Sequence, residues 1–438
     1  MLERIFGLGG HGTTVRTEVF AGFTTFLTMA YIVVVNPAIL GEAGLPVAAV
    51  AAATCLAAGF GSLLMGLIAN YPLALAPGMG LNAYFTYTVV KAMGVPWETA
   101  LGCVFLSGAA FLVLTLVGVR QMIVAAIPRS LFAAVAAGVG LFIAFIGLRD
   151  AGIIVPNPAT AVGLGDLTKP TAALSILGLL VIGALQAWRV QGAMLIGIVL
   201  TAAAGWALGL AHVTPGGYSL TAISATAFKL DIPGALNLKG GFGATLLEII
   251  FVFLFVDLFD NVGTLVAVTK RAGLVDEAGA IPRLNRILIA DSVATMAGAL
   301  AGTSTVTSYI ESASGVAAGG RTGLTSVTVG ILFLITLLFA PLVQAIPSAA
   351  TAPALILVGA MMVGALTEVD WADPGVAIPA FLTMVTIPLS YSIANGLAFG
   401  ITSFAALKLV RGQARRSDWL LFVLAALFVL RFVYLAKG

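Results

Sequence analysis

Ala74-Leu75-Ala76-Pro77-Gly78-Met79-Gly80-Leu81-Asn82 and Ser304-Thr305-Val306-Thr307-Ser308-Tyr309-Ile310-Glu311-Ser312-Ala313-Ser314-Gly315 open two apolar segments, 74–91 and 304–320, that do not begin as helices. Pro77-Gly78 breaks the first, and a β-branched, hydroxyl-rich run starts the second. They lie in a chain of 438 residues that is 60% hydrophobic and 9% charged, with a mean hydropathy of +1.11. Ordinary soluble proteins are about 25% charged. The 21 basic and 18 acidic side chains cannot coat a water-soluble body of this size. Secreted, nucleic-acid-binding and disordered classes are excluded, and the composition is that of an all-α polytopic membrane protein.

A membrane-crossing helix takes about 20 apolar residues. Cutting the chain at charges, prolines and glycine-rich breaks predicts spans at 18–40, 47–69, 74–91, 97–118, 130–148, 171–188 and 191–210. A polar stretch, 212–241, is too long for a routine turn. Spans at 242–268, 285–302, 304–320, 322–345, 351–367, 375–389 and 392–410 follow, and a last apolar run, 418–436, lies beyond a basic link. An odd number of spans per half gives the halves opposite orientations, and each broken segment is the third of its half. Interrupted segments at matching positions point to a binding site where inverted repeats meet. Half-helices starting there offer free N–H groups and a positive dipole end to a polar ligand.

A cytoplasmic N-terminus places Arg4, Arg16, Arg120, Arg129, Arg189, Lys270, Arg271, Arg283, Arg286, Arg321, Lys408, Arg411, Arg415 and Arg416 on the cytoplasmic side. The opposite side receives Lys91, Arg149, Lys169, Lys229 and Lys239, in keeping with the positive-inside rule. The run from Val19 to Leu40 is too long for a signal-peptide core and reads as the first span.

Five carboxylates, Glu248, Asp257, Asp260, Asp291 and Glu311, fall inside predicted spans. Each costs roughly 2.5–3.5 kcal/mol at the bilayer centre, so each needs a partner or a purpose. No lysine or arginine lies at comparable depth, which leaves protonation, cation binding or hydrogen bonding to a ligand. Asp257, Asp260 and Thr264 share one helical face. Asp260 and Glu311 are the leading substrate contacts; Asp257 stands between a functional and a structural reading; Glu248, and Asp291 near the start of its span, read as structural. Asn82 either reads a ligand or caps the helix after the glycine break. Phe85, Tyr84 and Tyr309 either stack on a flat ligand or pack. Asn36-Pro37 and Asn395 read as structural breaks, and 51 glycines fit close helix packing. Cys55 and Cys103 read as inert buried thiols, and His11 and His212 fall in exposed segments. No metal cluster, catalytic triad or phosphate-binding loop is present, so neither a cofactor nor enzymatic chemistry is expected.

The stretch Thr17–Ile32 with Asn36-Pro37, the stretch Ala76–Phe85, the stretch Phe255–Thr264, and Thr303-Ser304-Thr305 with Glu311–Val316 resemble the AzgA-like purine-permease branch of the nucleobase–cation symporters. The resemblance implies fourteen segments in two inverted repeats, with segments 3 and 10 each a short β-strand plus a half-helix. It assigns 1–17 to a cytoplasmic N-terminus, 18–118 and 242–345 to a core domain, and 119–210 and 346–411 to a gate domain. It leaves 211–241 as an extracytoplasmic loop and 412–438 as an extra hydrophobic C-terminal helix. It further implies proton-coupled import of adenine, guanine or hypoxanthine through a plasma (inner) membrane by elevator-like alternating access. The partners are then a purine base, a co-transported proton and the lipid bilayer; members of the family are often homodimers.

Carried over by position, the eighth-segment acid is Asp260, the tenth-segment glutamate is Glu311, and backbone contacts map near Ile310 and Ser312. Asn82 occupies the third-segment polar position. Proton coupling falls to Glu311, Asp260 and Asp257. In uracil-type relatives a histidine stands four residues beyond the eighth-segment acid; here it is Thr264, which puts a histidine-assisted relay in doubt. The alternatives are a same-fold transporter of uracil or xanthine and an anion exchanger, against which paired acids argue. A channel would take up its solute without saturation, and a membrane enzyme would alter its ligand.

Overall fold

The computed structural model describes residues 2–118, 127–210, 220–237, 243–275 and 281–435. Arg120, Lys239 and the 211–219 part of the expected loop lie outside them. Two short helices, Leu2–Phe6 and Ile232–Ala235, aside, the helices are α1 (Val15–Met29), α2 (Ile32–Gly41), α3 (Val47–Leu64), α4 (Met79–Ala83), α5 (Trp97–Leu116), α6 (Arg129–Asp150), α7 (Pro170–Ala187) and α8 (Ala193–Ala207). They continue as α9 (Gly243–Arg271), α10 (Leu284–Ala301), α11 (Ser312–Ala317), α12 (Gly323–Thr336), α13 (Ser348–Val363), α14 (Pro374–Ser390), α15 (Ile393–Val410) and α16 (Trp419–Leu435). Strand β1 is Leu75–Pro77, β2 Ile154–Asn157, β3 Ala161–Leu164 and β4 Val306–Ser308. Among the described residues nine helices are long and apolar enough to cross a membrane, and four shorter ones are apolar. The chain is a multi-pass, mostly helical membrane protein.

Three local readings are corrected. Asn36-Pro37 is no break: Pro37 sits inside α2, and the seam between α1 and α2 falls earlier, at Ala30–Tyr31, both in helical conformation. The missing N–H of Pro37 costs one ladder bond, which an apolar, fully packed helix tolerates. Asn395 lies inside α15, where Ser392 accepts its backbone N–H at 3.3 Å and caps the helix. Between α6 and α7 the expected loop holds a hairpin, β2 against β3, with Asn157 opposite Ala161. Its turn is fixed by Asn157 Oδ1, which accepts the Ala159 N–H at 2.8 Å; four-residue strands carry too little alternation to be read beforehand.

The helices form two bundles. One gathers α1, α2, α3, α5, α10 and α12 around the β1–β4 pair; the other gathers α6, α7, α8, α13, α14 and α15. Helix α9 runs between them, touching α5 and β4 on one side and α6 on the other. Small residues set the closest approaches. A Cβ on Gly330 of α12 would lie 2.8 Å from the Gly59 carbonyl of α3, and one on Gly140 of α6 would lie 2.8 Å from the Gly359 carbonyl of α13. Such backbone-to-backbone contact is how helices associate where lipid gives no hydrophobic drive.

Several charged side chains are tied down by defined partners. Glu18 of α1 is fully buried, and its carboxylate accepts the N–H groups of Arg321 at 2.8 Å and Thr322 at 3.2 Å and the Thr325 hydroxyl at 2.6 Å. An anion at the first turn of α12 is the favoured end of the helix dipole. At the opposite ends of the bundles, Glu42 pairs with Lys91 and lies 3.5 Å from Arg149 of α6. The Tyr87 ring takes both cations over its face, at 5.1 and 4.8 Å, and Thr88 donates to the Tyr391 carbonyl at 2.7 Å. Direct contacts therefore join the two bundles there. Asp373, ahead of α14, accepts from the Gly375 N–H and from Arg411 at 2.7 Å, which holds its carboxyl below the usual carboxylate range.

Gly330→Val forces a branched side chain into the α3–α12 contact and is expected to destabilise the protein by about 1–3 kcal/mol. A lower melting midpoint in detergent than the parent's is the expected result; an unchanged midpoint refutes the close-contact reading.

Candidate functional site

The site is built on two breaks that complete each other. β1 and β4 pair antiparallel, Leu75 opposite Ser308, Ala76 opposite Thr307 and Pro77 opposite Val306. The Gly78 N–H donates to the Thr305 carbonyl at 2.9 Å and the Tyr309 N–H to the Ala74 carbonyl at 3.0 Å, which extends the pairing at both ends. Side chains satisfy the rest: Ser62 Oγ donates to the Leu75 carbonyl at 3.1 Å and accepts its N–H at 3.0 Å, and Thr295 donates to the Val306 carbonyl at 2.8 Å. Pro77 offers no N–H, and its carbonyl accepts the Tyr309 hydroxyl at 2.5 Å. The chain turns into α4 straight after β1 and into α11 shortly after β4.

Asp260 and Glu311 arrive from separate helices. Asp260 stands on α9, only partly covered; a side chain on Gly78 would begin 3.5 Å from its Oδ2, which places the carboxylate over the β1–α4 junction. Glu311 precedes α11, also partly covered, and accepts the Tyr31 hydroxyl at 2.7 Å. Asp260 lies within electrostatic reach of both Glu311 and Asp291. Asp291 sits within α10, fully buried. Asp260 also lines a cleft with Gly80 and Leu81 of α4, Val256 of α9, Val139 of α6 and Met362 of α13. The cleft thus falls between the two bundles, with room for about one water molecule.

The remaining expected residues sit as follows. Asp257 and Thr264 share the α9 face, 1% and 8% exposed. Ile310 is 46% exposed, whereas Ser312 is buried and its Oγ accepts the Ala74 N–H at 3.0 Å. Phe85 is fully buried with its ring 6.4 Å from Phe253, and Tyr84 meets the same ring edge-on at 5.1 Å. Asn82 is fully buried within α4, so it is not the helix cap; its Nδ2 donates to Asn36 Oδ1 at 2.6 Å, and its Oδ1 accepts the Ser304 hydroxyl. Asn36 in turn donates to Thr54 at 2.7 Å and Thr303 at 2.9 Å. In this conformation the Asn82 amide braces α2, α4 and the approach to β4, and it does not line the cleft that Asp260 lines.

Residues whose contacts the sequence reading did not foresee complete the picture. Tyr31 and Asn36 are buried polar groups of the first segment, and their only mark in the chain is a place within its apolar, motif-bearing stretch. Among the described residues, the buried hydroxyls of Thr305, Thr307 and Ser308 have no hydrogen-bond partner in the protein. Buried polar groups are normally paired, so β4 carries hydrogen-bonding capacity to spare beside Asp260.

A model described as the permease family matches residues 16–399. The chain belongs to this permease family. The permease is 47% identical to the adenine permease AdeP of Escherichia coli (strain K12), over 99% of this chain and 96% of that protein. It is 45% identical to the guanine/hypoxanthine permease PbuG of Bacillus subtilis (strain 168), over 99% and 100%. The transmembrane domain of the cyanobacterial bicarbonate transporter BicA matches with a TM-score of 0.63 at 15% identity, covering 90% of the permease and 97% of that domain. That likeness is one of fold. The permease is a transporter and not an enzyme.

Asn82→Ala strips partners from Asn36 and Ser304 in a buried network and is expected to cost about 1–3 kcal/mol of stability. Melting in detergent measures it. A variant that melts like the parent but changes its base preference would move the amide from bracing to ligand reading.

Proposed function

We propose that this permease carries purine nucleobases, adenine, guanine or hypoxanthine, inward across a plasma membrane together with protons. The observation that carries the reading is the placing of two carboxyls by the paired strands, Glu311 just after β4 and Asp260 over Gly78, with Asp260 at the cleft between the two bundles. A carboxylate is a two-oxygen acceptor, suited to the ring N–H and exocyclic donors on a purine edge. No permanent cation is built against either carboxyl in the contacts above, so a proton is the natural charge partner. The relatives named for adenine and for guanine and hypoxanthine transport support the substrate class.

In this reading the chain has fourteen segments in two inverted repeats, the first bundle with α9 being the moving core and the second the gate. The pairing of β1 with β4, and the packing of α3 on α12 matched by that of α10 on α5, support the repeat relation. Asp260 and Glu311 hold opposite edges of the base, Ile310 and Ser312 lie along it through the backbone, and Thr264 and Phe85 shape its surroundings. Proton uptake on Glu311 or Asp260, with Asp257 behind them, neutralises the loaded site. The cleft is too narrow here for a base, so loading requires the bundles to shift, and an elevator-like displacement of core against gate supplies that shift. The N-terminus is cytoplasmic. Homodimers of the permease in the membrane complete the reading.

A site for an anion such as bicarbonate would want positive or neutral lining. Two carboxylates make the anion exchanger the weaker reading despite the shared fold.

Radiolabelled adenine, hypoxanthine, guanine and uracil are offered to proteoliposomes with and without an inward proton gradient and with a protonophore. Saturable accumulation of a purine that collapses with protonophore is expected; failure of every purine to accumulate in folded protein overturns the reading. Asp260→Asn and Glu311→Gln are each expected to lower accumulation at least about 100-fold, the order of two hydrogen bonds to a charged group. Parent-like uptake by both variants would remove the carboxyl pair from the site.

A further inference from the structure

Tyr31 sits at the seam between α1 and α2, with its side chain fully buried. Its hydroxyl spans 280 residues of sequence to reach Glu311 Oε1 at 2.7 Å. A second tyrosine stands two residues from Glu311, but the Tyr309 hydroxyl is committed to the Pro77 carbonyl at 2.5 Å. The two phenols therefore have different tasks. Tyr309 ties β4 to β1, and Tyr31 acts on the carboxyl itself.

The chemistry of the donor matters. An arginine or lysine at this place would neutralise Glu311 and remove its demand for a proton. A phenol donates one hydrogen bond and brings no charge. It orients the carboxyl and leaves its negative charge to be answered from elsewhere. The groups around Glu311 are Tyr31 from the first segment, Tyr309 from its own strand and Asp260 from α9, with Asp291 of α10 acting on Asp260. Arg321, the basic residue next along the chain, spends its guanidinium on the carbonyls of Val316 and Gly320, both at 2.7 Å.

We infer that Tyr31 is a positioning residue for transport: its hydroxyl holds the Glu311 carboxyl in register with Asp260, and so sets both base affinity and proton dependence through Glu311. The inference rests on the reading of Glu311 as a base contact. The helical path of the first segment continues through Ala30 and Tyr31, and it sets the Tyr31 ring against the tenth segment.

The test is equilibrium binding of radiolabelled adenine, hypoxanthine and guanine to purified protein, for the parent, Tyr31→Phe, Glu311→Gln and the double variant, each checked for folding by its melting midpoint. Tyr31→Phe is expected to weaken binding of the preferred purine about tenfold, the order of one hydrogen bond to a charged group. In the Glu311→Gln background the same change is expected to matter less than about twofold, because the two residues act as one unit. Tyr309→Phe, which loses a bond to backbone, is the control and should cost the same in both backgrounds. An equal loss from Tyr31→Phe in both backgrounds, or none in either, overturns the inference while leaving the carboxyl site standing. Absence of purine binding by the parent overturns both.

If Glu311→Gln binds too weakly to titrate, the pH profile of uptake decides. Loss of a donor that favours the charged carboxyl should raise the pH of half-maximal uptake by about one unit. A loss of packing alone would lower uptake equally at every pH, and that result would overturn the inference. If Tyr31→Phe does not fold, 3-fluorotyrosine at position 31 keeps the ring and strengthens the donor, and the same midpoint should fall; a fixed midpoint would again overturn it.

Discussion

Within a bilayer, backbone N–H and C=O groups must be satisfied by the protein, because lipid offers them nothing. Segments 74–91 and 304–320 both give up helical bonding where they break, and neither can repair the loss alone. Each break supplies the other with its partner: three residues of β1 against three of β4, extended by Gly78 to Thr305 and Tyr309 to Ala74. Everything distinctive at the site follows from that mutual repair. It fixes where α4 and α11 begin, brings Glu311 toward the junction of β1 and α4, and leaves Asp260 of α9 standing over Gly78.

Much of this was legible in the chain. Apolar runs bounded by charge and proline gave helix limits close to those found, such as 130–148 for α6, observed as Arg129–Asp150. Acids inside apolar runs announce themselves by their insertion cost, which singled out Asp260 and Glu311. Tyr31, Asn36 and Asn82 carry no such cost signature. A neutral polar residue in an apolar segment reads the same whether it packs, caps or reaches across 280 residues to another segment. Glu18 escaped for a different reason: it falls at the edge of the first span, where an acid looks solvated, yet folding seats it at the start of α12. The β2–β3 hairpin is set by a local turn too short to leave a periodic pattern.

Among the described residues, the carboxylates of Glu18 and Glu311 are met by neutral or backbone donors, and the Lys91, Glu42 and Arg149 ion pairs lie toward the ends. Glu18 meets backbone N–H groups and a hydroxyl; Glu311 meets a phenol; the Lys91, Glu42 and Arg149 cluster is partly exposed. The division follows from desolvation. A buried ion pair must repay the loss of water on both partners, while a dipolar donor asks that of one. It also keeps deep carboxylates chemically available, since a group already neutralised by a cation has little further use for a proton or a ligand.

The strand pairing also bears on how the protein is made. The Tyr309 hydroxyl and the Pro77 carbonyl that it meets are 232 residues apart. At the usual pace of synthesis, about 5–20 residues per second, the first half waits about 10–50 s before its partner strand exists. During that interval β1 is an unpaired edge within a nascent membrane protein, the kind of exposed template that pairs with the wrong chain. Ser62 covers only the other edge: its hydroxyl engages both backbone groups of Leu75, which face away from β4, while Ala74 and Gly78 find their partners in the second half. One edge of β1 is thus closed by a serine thirteen residues upstream, and the other only by the second half of the chain.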